Sequence, residues 1–217
     1  MSLAARTLRV LVALAVLAAL VDDVVVAARD GLLAQDVSYF TNQSNLAFVL
    51  LVAVGLLLGR KRPPWLEDMR GAVAFYLAMT GIVYALLIAP PSELLRWDIG
   101  WTGIVLHRLA PVVAVADWLL TPRQRPAPAR RVLLWQLYPI AYLVLTWVRG
   151  GVTGWYPYDF LDPTVSSWPQ VLLVTVIVLG AFFAVAALLH LCCGRLRTAP
   201  STREAPESFA RRRHQRS

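Results

Sequence analysis

Long apolar runs separated by short polar segments dominate this sequence. Six runs approach the roughly 20 residues with which an α-helix crosses the hydrocarbon core of a bilayer. The predicted spans are residues 8–28, 39–59, 71–89, 100–120, 132–148 and 168–193. Helix-breaking prolines lie in the connections, for example Pro63-Pro64 and Pro90-Pro91. We therefore expect an all-α membrane protein, with a bundle of six transmembrane helices over residues 1–194.

Composition supports a membrane protein. Of 217 residues, 58% are hydrophobic and 16% charged, whereas soluble domains average about 45–50% apolar and about 25% charged residues. The net charge of +8 lies in short loops and a tail rather than on one continuous surface, so no nucleic-acid partner is expected. His107, His190 and His214 are far apart and no Cys-x-x-Cys occurs. We therefore expect neither a metal nor another cofactor.

The placement of the lysine and arginine residues predicts the orientation of the protein in the membrane. Most of them lie in the N-terminal segment, the second and fourth connections and the C-terminal tail, whereas the other side has only Arg29, Arg96 and Arg149. Because short cytoplasmic loops are enriched in Lys and Arg, both termini are predicted to be cytoplasmic. The membrane is predicted to be the plasma membrane. The basic segment 195–217 is predicted to be disordered and to rest on anionic lipid headgroups. All eight tryptophans lie near predicted helix ends, as interfacial anchors do.

The second span opens with an unusual polar run from Thr41 to Asn45. Thr41, Ser44 and Asn45 have i, i+3, i+4 spacing and therefore share one helix face. Uncompensated polar groups are costly inside a bilayer and by default indicate function. The alternative is that the run caps the start of the helix, since hydroxyl and amide groups satisfy free backbone N–H groups.

Other polar groups are predicted at a similar depth. At 1.5 Å per residue, His107 lies about 10 Å below the outer end of the fourth span. Asp22 and Asp23 lie roughly 8–9 Å below the outer end of the first span. Either carboxylate could pair with His107 or form a structural ion pair with Arg108. Pro111, one turn after His107, is expected to kink the helix, free the His107 carbonyl and widen a cavity there.

These residue types permit acyl transfer. A threonine hydroxyl becomes a nucleophile when a nearby histidine takes its proton, and a carboxylate can fix the histidine tautomer. The candidates are Thr41 as nucleophile and His107 as base. Further candidates are Asp22 and Asp23 as orienting partners, and Asn42, Gln43 and Asn45 as oxyanion donors. A pocket opening into the outer leaflet would receive lipid-like esters from the membrane.

The predicted outer loop 150–160 is rich in glycine and aromatic residues. Glycines permit tight turns, and aromatic side chains suit the headgroup level of a bilayer. The loop is either a lid over the outward-facing cavity or an ordinary interfacial loop.

Three segments resemble a known family. Tyr39-Phe40-Thr41-x-Gln43-Ser44-Asn45-Leu46, His107-x-x-x-Pro111 and Gly154-Trp155-Tyr156-Pro157-Tyr158 resemble the bacterial Pr-six-Pr family of integral membrane proteins. That family is similar, more distantly, to the androgen-induced and androgen-dependent TFPI-regulating membrane proteins of animals. The resemblance extends over all six predicted helices and is specific in these three segments.

The resemblance implies an activity. The animal proteins are intramembrane threonine hydrolases that cleave fatty acid esters of hydroxy fatty acids with one threonine and one histidine. By position, the resemblance assigns these roles to Thr41 and His107. The chain departs from the animal pattern in the Gln-Ser-Asn sequence at 43–45 and in Arg108, directly after the histidine.

Two other functions are compatible with the sequence. A transporter or proton-linked channel would use Asp22, Asp23, His107 and Arg108 as a relay, and it would need polar groups that continue to the inner leaflet. A non-catalytic scaffold would bind partners through its loops and tail. The separation of Thr41 and His107 distinguishes these possibilities from a hydrolase, because side chains more than about 8 Å apart with no water between them cannot share a proton.

Overall fold

The computed structural model describes residues 3–59, 61, 63–93, 100–121 and 128–195. Within these ranges the chain is helical and has no strand. Six helices are long and apolar enough to cross a membrane: α1 Leu3–Arg29, α2 Phe40–Leu57, α3 Pro64–Ile88, α4 Trp101–Leu120, α5 Arg130–Thr153 and α6 Trp168–Arg195. The six predicted helices are therefore confirmed, and they indicate a multi-pass membrane protein. The predicted disordered tail begins at Arg195, but this residue is the last of α6, and residues 196–217 lie outside the described ranges.

Four helices, α1, α3, α5 and α6, extend further than their predicted spans, and α3 and α5 show the reason. Helix α3 begins at Pro64 rather than at residue 71, and proline suits a first helical turn because its missing N–H would have no partner there. Leu66 in this extension is buried. Helix α5 continues past residue 148 to Thr153. The difference arises because hydropathy measures the apolar core of a span, whereas helical hydrogen bonding continues into the polar interface.

Helix α3 lies at the centre of the bundle. It packs against α2, α4, α5 and α6, while α1 packs against α2 and α4. Phe75 and Leu77 of α3 are completely buried. At Gly71, a Cβ atom would lie 2.2 Å from the Trp135 ring, so the absence of a side chain allows the close packing of α3 and α5.

Two tryptophans are not interfacial anchors, contrary to the prediction. Trp118 of α4 and Trp135 of α5 are 1% and 2% exposed, and their rings pack edge to face with centroids 5.8 Å apart. Trp118 Nε1 also donates a hydrogen bond of 3.2 Å to the Leu189 carbonyl of α6. Position near a helix end does not reveal which side of the helix faces the bundle, and these two rings face inward.

Two π-helical turns lie side by side near the start of α4. One is Tyr84–Ile88 at the end of α3, and the other is Val105–Leu109 within α4. The second precedes Pro111, whose missing N–H cannot bond the His107 carbonyl. Helix α4 therefore contains a wide turn just before Pro111, and the helix continues from Ala110. Gly81 of α3 packs here, and a Cβ on it would lie 3.3 Å from the His107 carbonyl oxygen.

Candidate functional site

Thr41 and His107 are in contact. Thr41 lies in the first turn of α2 and is 7% exposed, and its Oγ1 lies 3.4 Å from Nε2 of His107 in the π turn of α4. This distance is long for an O–H···N hydrogen bond, as is common for catalytic pairs before substrate binds. Direct proton transfer would require the two atoms to approach by a few tenths of an ångström.

The His107 ring is held on its other side by α3. The imidazole stacks on the Tyr84 ring with centroids 4.1 Å apart and planes 26° apart. The Gly103 carbonyl, one turn earlier in α4, also interacts with the imidazole. Nδ1 makes no hydrogen bond of normal geometry within the described part of the chain. An N–H at Nδ1 directed toward the Gly103 carbonyl would leave Nε2 unprotonated and able to accept the Thr41 proton.

Asn45 fixes α2 against α4. Its completely buried side chain donates through Nδ2 to the Thr41 carbonyl at 2.9 Å and to the Leu106 carbonyl at 3.2 Å. These two bonds use both N–H groups of the amide. Asn45 therefore sets the relative position of Thr41 and His107, while neither N–H remains for the oxyanion role considered from the sequence.

Asn42 and Gln43 face the segment that precedes α2. Asn42 Nδ2 donates to the Asp36 carbonyl at 2.9 Å and to Asp36 Oδ1 at 3.0 Å, and Gln43 Nε2 donates to the Val37 carbonyl at 3.0 Å. Gln43 Oε1 accepts from the Tyr138 hydroxyl at 2.9 Å. Burial raises the pKa of the Asp36 carboxyl, and the bond from Asn42 acts against that rise. Both amides thus anchor the segment that precedes α2.

The polar run does not provide the N-cap of α2, which was one of the two alternatives considered from the sequence. The residue at the N-cap position of α2 is Tyr39, which makes no side-chain capping hydrogen bond. Instead, the backbone N–H of Phe40 donates to the Tyr158 hydroxyl at 3.1 Å. Thr41, Ser44 and Asn45 are all buried, in agreement with the single helix face that their spacing predicts. The amides of Asn42 and Gln43 instead bind backbone carbonyls.

Asp22 and Asp23 lie against the first turn of α4. Asp22 Oδ2 accepts a hydrogen bond of 3.1 Å from Trp101 Nε1, and Asp23 is hydrogen-bonded to Thr102. Arg108 donates to the Glu93 carbonyl at 2.7 Å. The described contacts of the two carboxylates therefore join α1 to the start of α4. Their partners Trp101 and Thr102 lie more than one helical turn before His107.

Tyr158 is a site residue that the sequence did not single out. Its hydroxyl accepts the Phe40 N–H and is hydrogen-bonded to Thr41 and Tyr142. Burial raises the pKa of Tyr158 well above its usual range, so the hydroxyl stays protonated. The aromatic composition of the loop drew attention to it as a possible lid, but the sequence does not show which of its rings contacts Thr41.

The loop closes an apolar pocket beside Thr41. The walls come from α2, α3, α5 and α6 and include Met79, Val83, Leu143, Leu179 and Phe182, while Tyr158, Phe160 and Leu161 of the loop cover one side. The volume is about 70 Å³, so a long acyl chain requires the surrounding helices to separate. The Thr41 side chain is one of the few polar groups on this wall.

No protein-family model, curated protein or solved structure matches this chain. The chemistry of the site therefore follows from its own residues. Thr41 and His107 form a hydroxyl–imidazole pair, and the hydroxyl residues Thr41 and Tyr158 line the wall of an apolar pocket.

Proposed function

We propose that this protein is an intramembrane hydrolase of fatty acyl esters, with Thr41 as nucleophile and His107 as general base. The observation that carries the proposal is the contact of Thr41 Oγ1 with His107 Nε2 beside an apolar pocket. A nucleophile–base pair within hydrogen-bonding reach is the arrangement that acyl transfer requires. The resemblance of the polar run, the histidine segment and the aromatic loop to the Pr-six-Pr family supports the same chemistry.

In the first half-reaction, Thr41 Oγ1 attacks the ester carbonyl carbon as its proton passes to His107 Nε2. The tetrahedral intermediate collapses with cleavage of the bond between the carbonyl carbon and the alcohol oxygen. That oxygen takes the proton from Nε2, so the alcohol leaves neutral and the acyl group stays on Thr41.

In the second half-reaction, water attacks the acyl-threonine ester. His107 Nε2 accepts a proton from the water, and the new tetrahedral intermediate collapses with cleavage of the bond to Thr41 Oγ1. The threonine oxygen recovers its proton from Nε2, and the fatty acid leaves. Both amino acids return to their starting states.

Tyr158 is the best-placed donor for the oxyanion. Its hydroxyl already interacts with the Thr41 hydroxyl, so it lies next to the carbon that Thr41 would attack. A rotation away from Tyr142 would direct its O–H at the developing negative charge. Donors aimed at this charge in a water-poor site typically contribute about 10²–10³ in rate.

The proposed location is the plasma membrane, with both termini cytoplasmic. The excess of arginine at the ends that carry the termini supports this orientation. The pocket would then lie in the outer leaflet, where membrane lipids and lipid-like esters could enter sideways between helices.

The geometry gives less support to the two other functions. A non-catalytic scaffold does not require contact between Thr41 and His107, whereas these two side chains are in contact. A proton relay would join Asp22 and Asp23 to His107, but their described partners are Trp101 and Thr102.

Covalent labelling tests the proposed function. A fluorophosphonate probe should label the purified protein, peptide mass spectrometry should locate the adduct at Thr41, and Thr41→Ala or His107→Ala should abolish the labelling. Thr175→Ala is a matched control, because Thr175 is a buried threonine of α6 on the same pocket wall. It should leave labelling intact. Wild-type protein with neither label nor ester turnover would contradict the proposal.

A further inference from the structure

A second cavity lies at the opposite end of the bundle from the Thr41 site. It has a volume of about 160 Å³ and lies between α1, α2, α3 and α4. Its polar wall includes Arg6 and Arg9 of α1, Arg70 of α3 and Asp117 of α4. The α2 wall is apolar and includes Phe48, Leu51 and Val52. We call this space the arginine cavity.

In the arginine cavity, both carboxylate oxygens of Asp117 have hydrogen-bond partners. Asp117 Oδ1 pairs with Arg9, and Oδ2 accepts a bond of 2.9 Å from Arg70 Nη2. Oδ1 also accepts a bond of 3.2 Å from the Thr121 hydroxyl. The side chains of Arg9, Arg70 and Asp117 are 17%, 12% and 18% exposed. The ion pairs therefore form a largely desolvated cluster.

Positive charge exceeds negative charge in this cluster. Among the described residues that line the cavity, Arg9 and Arg70 share one carboxylate, which leaves an excess of one positive charge in the desolvated cluster, and the exposed Arg6 at the cavity edge adds a second. Arg70 Nε is buried and makes no hydrogen bond within the described part of the chain. Uncompensated charge is costly in a low-dielectric environment. An anion in the cavity would lower that cost.

We propose that the arginine cavity binds an anionic phosphate group. Guanidinium groups match phosphate oxygens in charge and in hydrogen-bond geometry. The apolar α2 wall favours a phosphate carried by a membrane lipid, whose acyl chain would lie along Phe48, Leu51 and Val52. Free phosphate has the same charge and hydrogen-bonding groups as a phospholipid headgroup, but it has no acyl chain to contact the apolar α2 wall. This site is independent of the proposed hydrolase activity.

Lipid binding to the full-length protein in detergent tests the proposal. Thermal unfolding is followed with phosphatidylglycerol, with phosphatidylcholine or with inorganic phosphate. Phosphatidylglycerol should raise the unfolding midpoint more than zwitterionic phosphatidylcholine. Arg6→Gln should weaken the apparent affinity for phosphatidylglycerol about threefold, as expected for an exposed charge contact. Arg130→Gln, which changes an exposed arginine in the first turn of α5 outside the cavity, should not weaken it.

A second variant distinguishes the two sources of phosphate. Gly55 lines the cavity and has open space where a Cβ would lie. Gly55→Leu should therefore obstruct the acyl chain and reduce stabilisation by phosphatidylglycerol, while Gly180→Leu, at another open helical position, should not. Stabilisation by inorganic phosphate as strong as that by phosphatidylglycerol would overturn the lipid assignment. Equal effects of the two lipids, or equal affinity losses in Arg6→Gln and Arg130→Gln, would overturn the site itself.

Discussion

Thr41 has three neighbours that together define its chemical environment. His107 Nε2 lies 3.4 Å from its hydroxyl, Tyr158 is hydrogen-bonded to the same hydroxyl, and Asn45 holds its carbonyl at 2.9 Å. One neighbour can take a proton, one can donate to an oxyanion, and one fixes the backbone. In the proposed hydrolase, His107 and Tyr158 would therefore act in the chemistry and Asn45 would position the backbone of Thr41.

At this scale, the role of Tyr158 can be tested with the smallest possible change. Tyr158→Phe removes only the hydroxyl, so the rate of fluorophosphonate labelling at Thr41 should fall about 10²-fold if that hydroxyl stabilises the oxyanion. Labelling is measured as a time course by fluorescence after electrophoresis. Tyr156→Phe in the same loop is the control and should react like wild type, since its ring packs on Gly150. Similar rates for both variants would remove Tyr158 from the mechanism.

At the scale of elements, the two π turns set the position of the His107 imidazole. The turn Val105–Leu109 carries His107, and the turn Tyr84–Ile88 supplies the ring on which it stacks. Gly81 lets α3 approach this part of α4 closely. The position of the imidazole thus depends on the separation of the two helices.

A methyl group at residue 81 should disturb that separation. In Gly81→Ala, the new Cβ would lie 3.3 Å from both the His107 carbonyl oxygen and Pro111 Cβ, so α4 must shift by a few tenths of an ångström. Because acyl transfer is sensitive to small misplacements, labelling of Thr41 should slow about tenfold. The folded state should persist, as judged by circular dichroism. Gly180→Ala, where a Cβ meets nothing within 4 Å, should label normally; equal rates in the two variants would show that α4 does not shift.

At the scale of the whole molecule, the bundle has two different polar ends. One end holds Thr41, His107 and the aromatic loop, and the other holds the pairs of Asp117 with Arg9 and Arg70. The arginine-rich end is proposed to face the cytoplasm. Which end is cytoplasmic determines the leaflet from which each cavity could receive lipid.

Cysteine accessibility can determine the orientation. In a background with Cys192 and Cys193 replaced by serine, Ser167→Cys should react with a membrane-impermeant maleimide in intact cells. Ala129→Cys, between α4 and α5, should react only after permeabilisation, because its loop is proposed to be cytoplasmic. Both positions are exposed and outside the bundle core. Labelling of Ala129→Cys alone in intact cells would reverse the proposed orientation.

The sequence by itself determined the six long apolar helices and the candidate polar residues. Continuous apolar runs reveal membrane helices because each must satisfy its backbone hydrogen bonds internally. The fixed rise per residue also predicted similar depths for Thr41 and His107. These properties depend on one helix at a time, and they need no knowledge of its neighbours.

Only the tertiary structure decided which polar groups meet. Depth does not fix the rotation of a helix or its lateral neighbours. Asp22 and Asp23 share the predicted depth of His107, but they contact Trp101 and Thr102. For the same reason the sequence could not show that Tyr158, 117 positions beyond Thr41, would reach its hydroxyl, nor that Arg9 and Arg70 would converge on Asp117. Contacts between helices depend on the packing of the whole bundle.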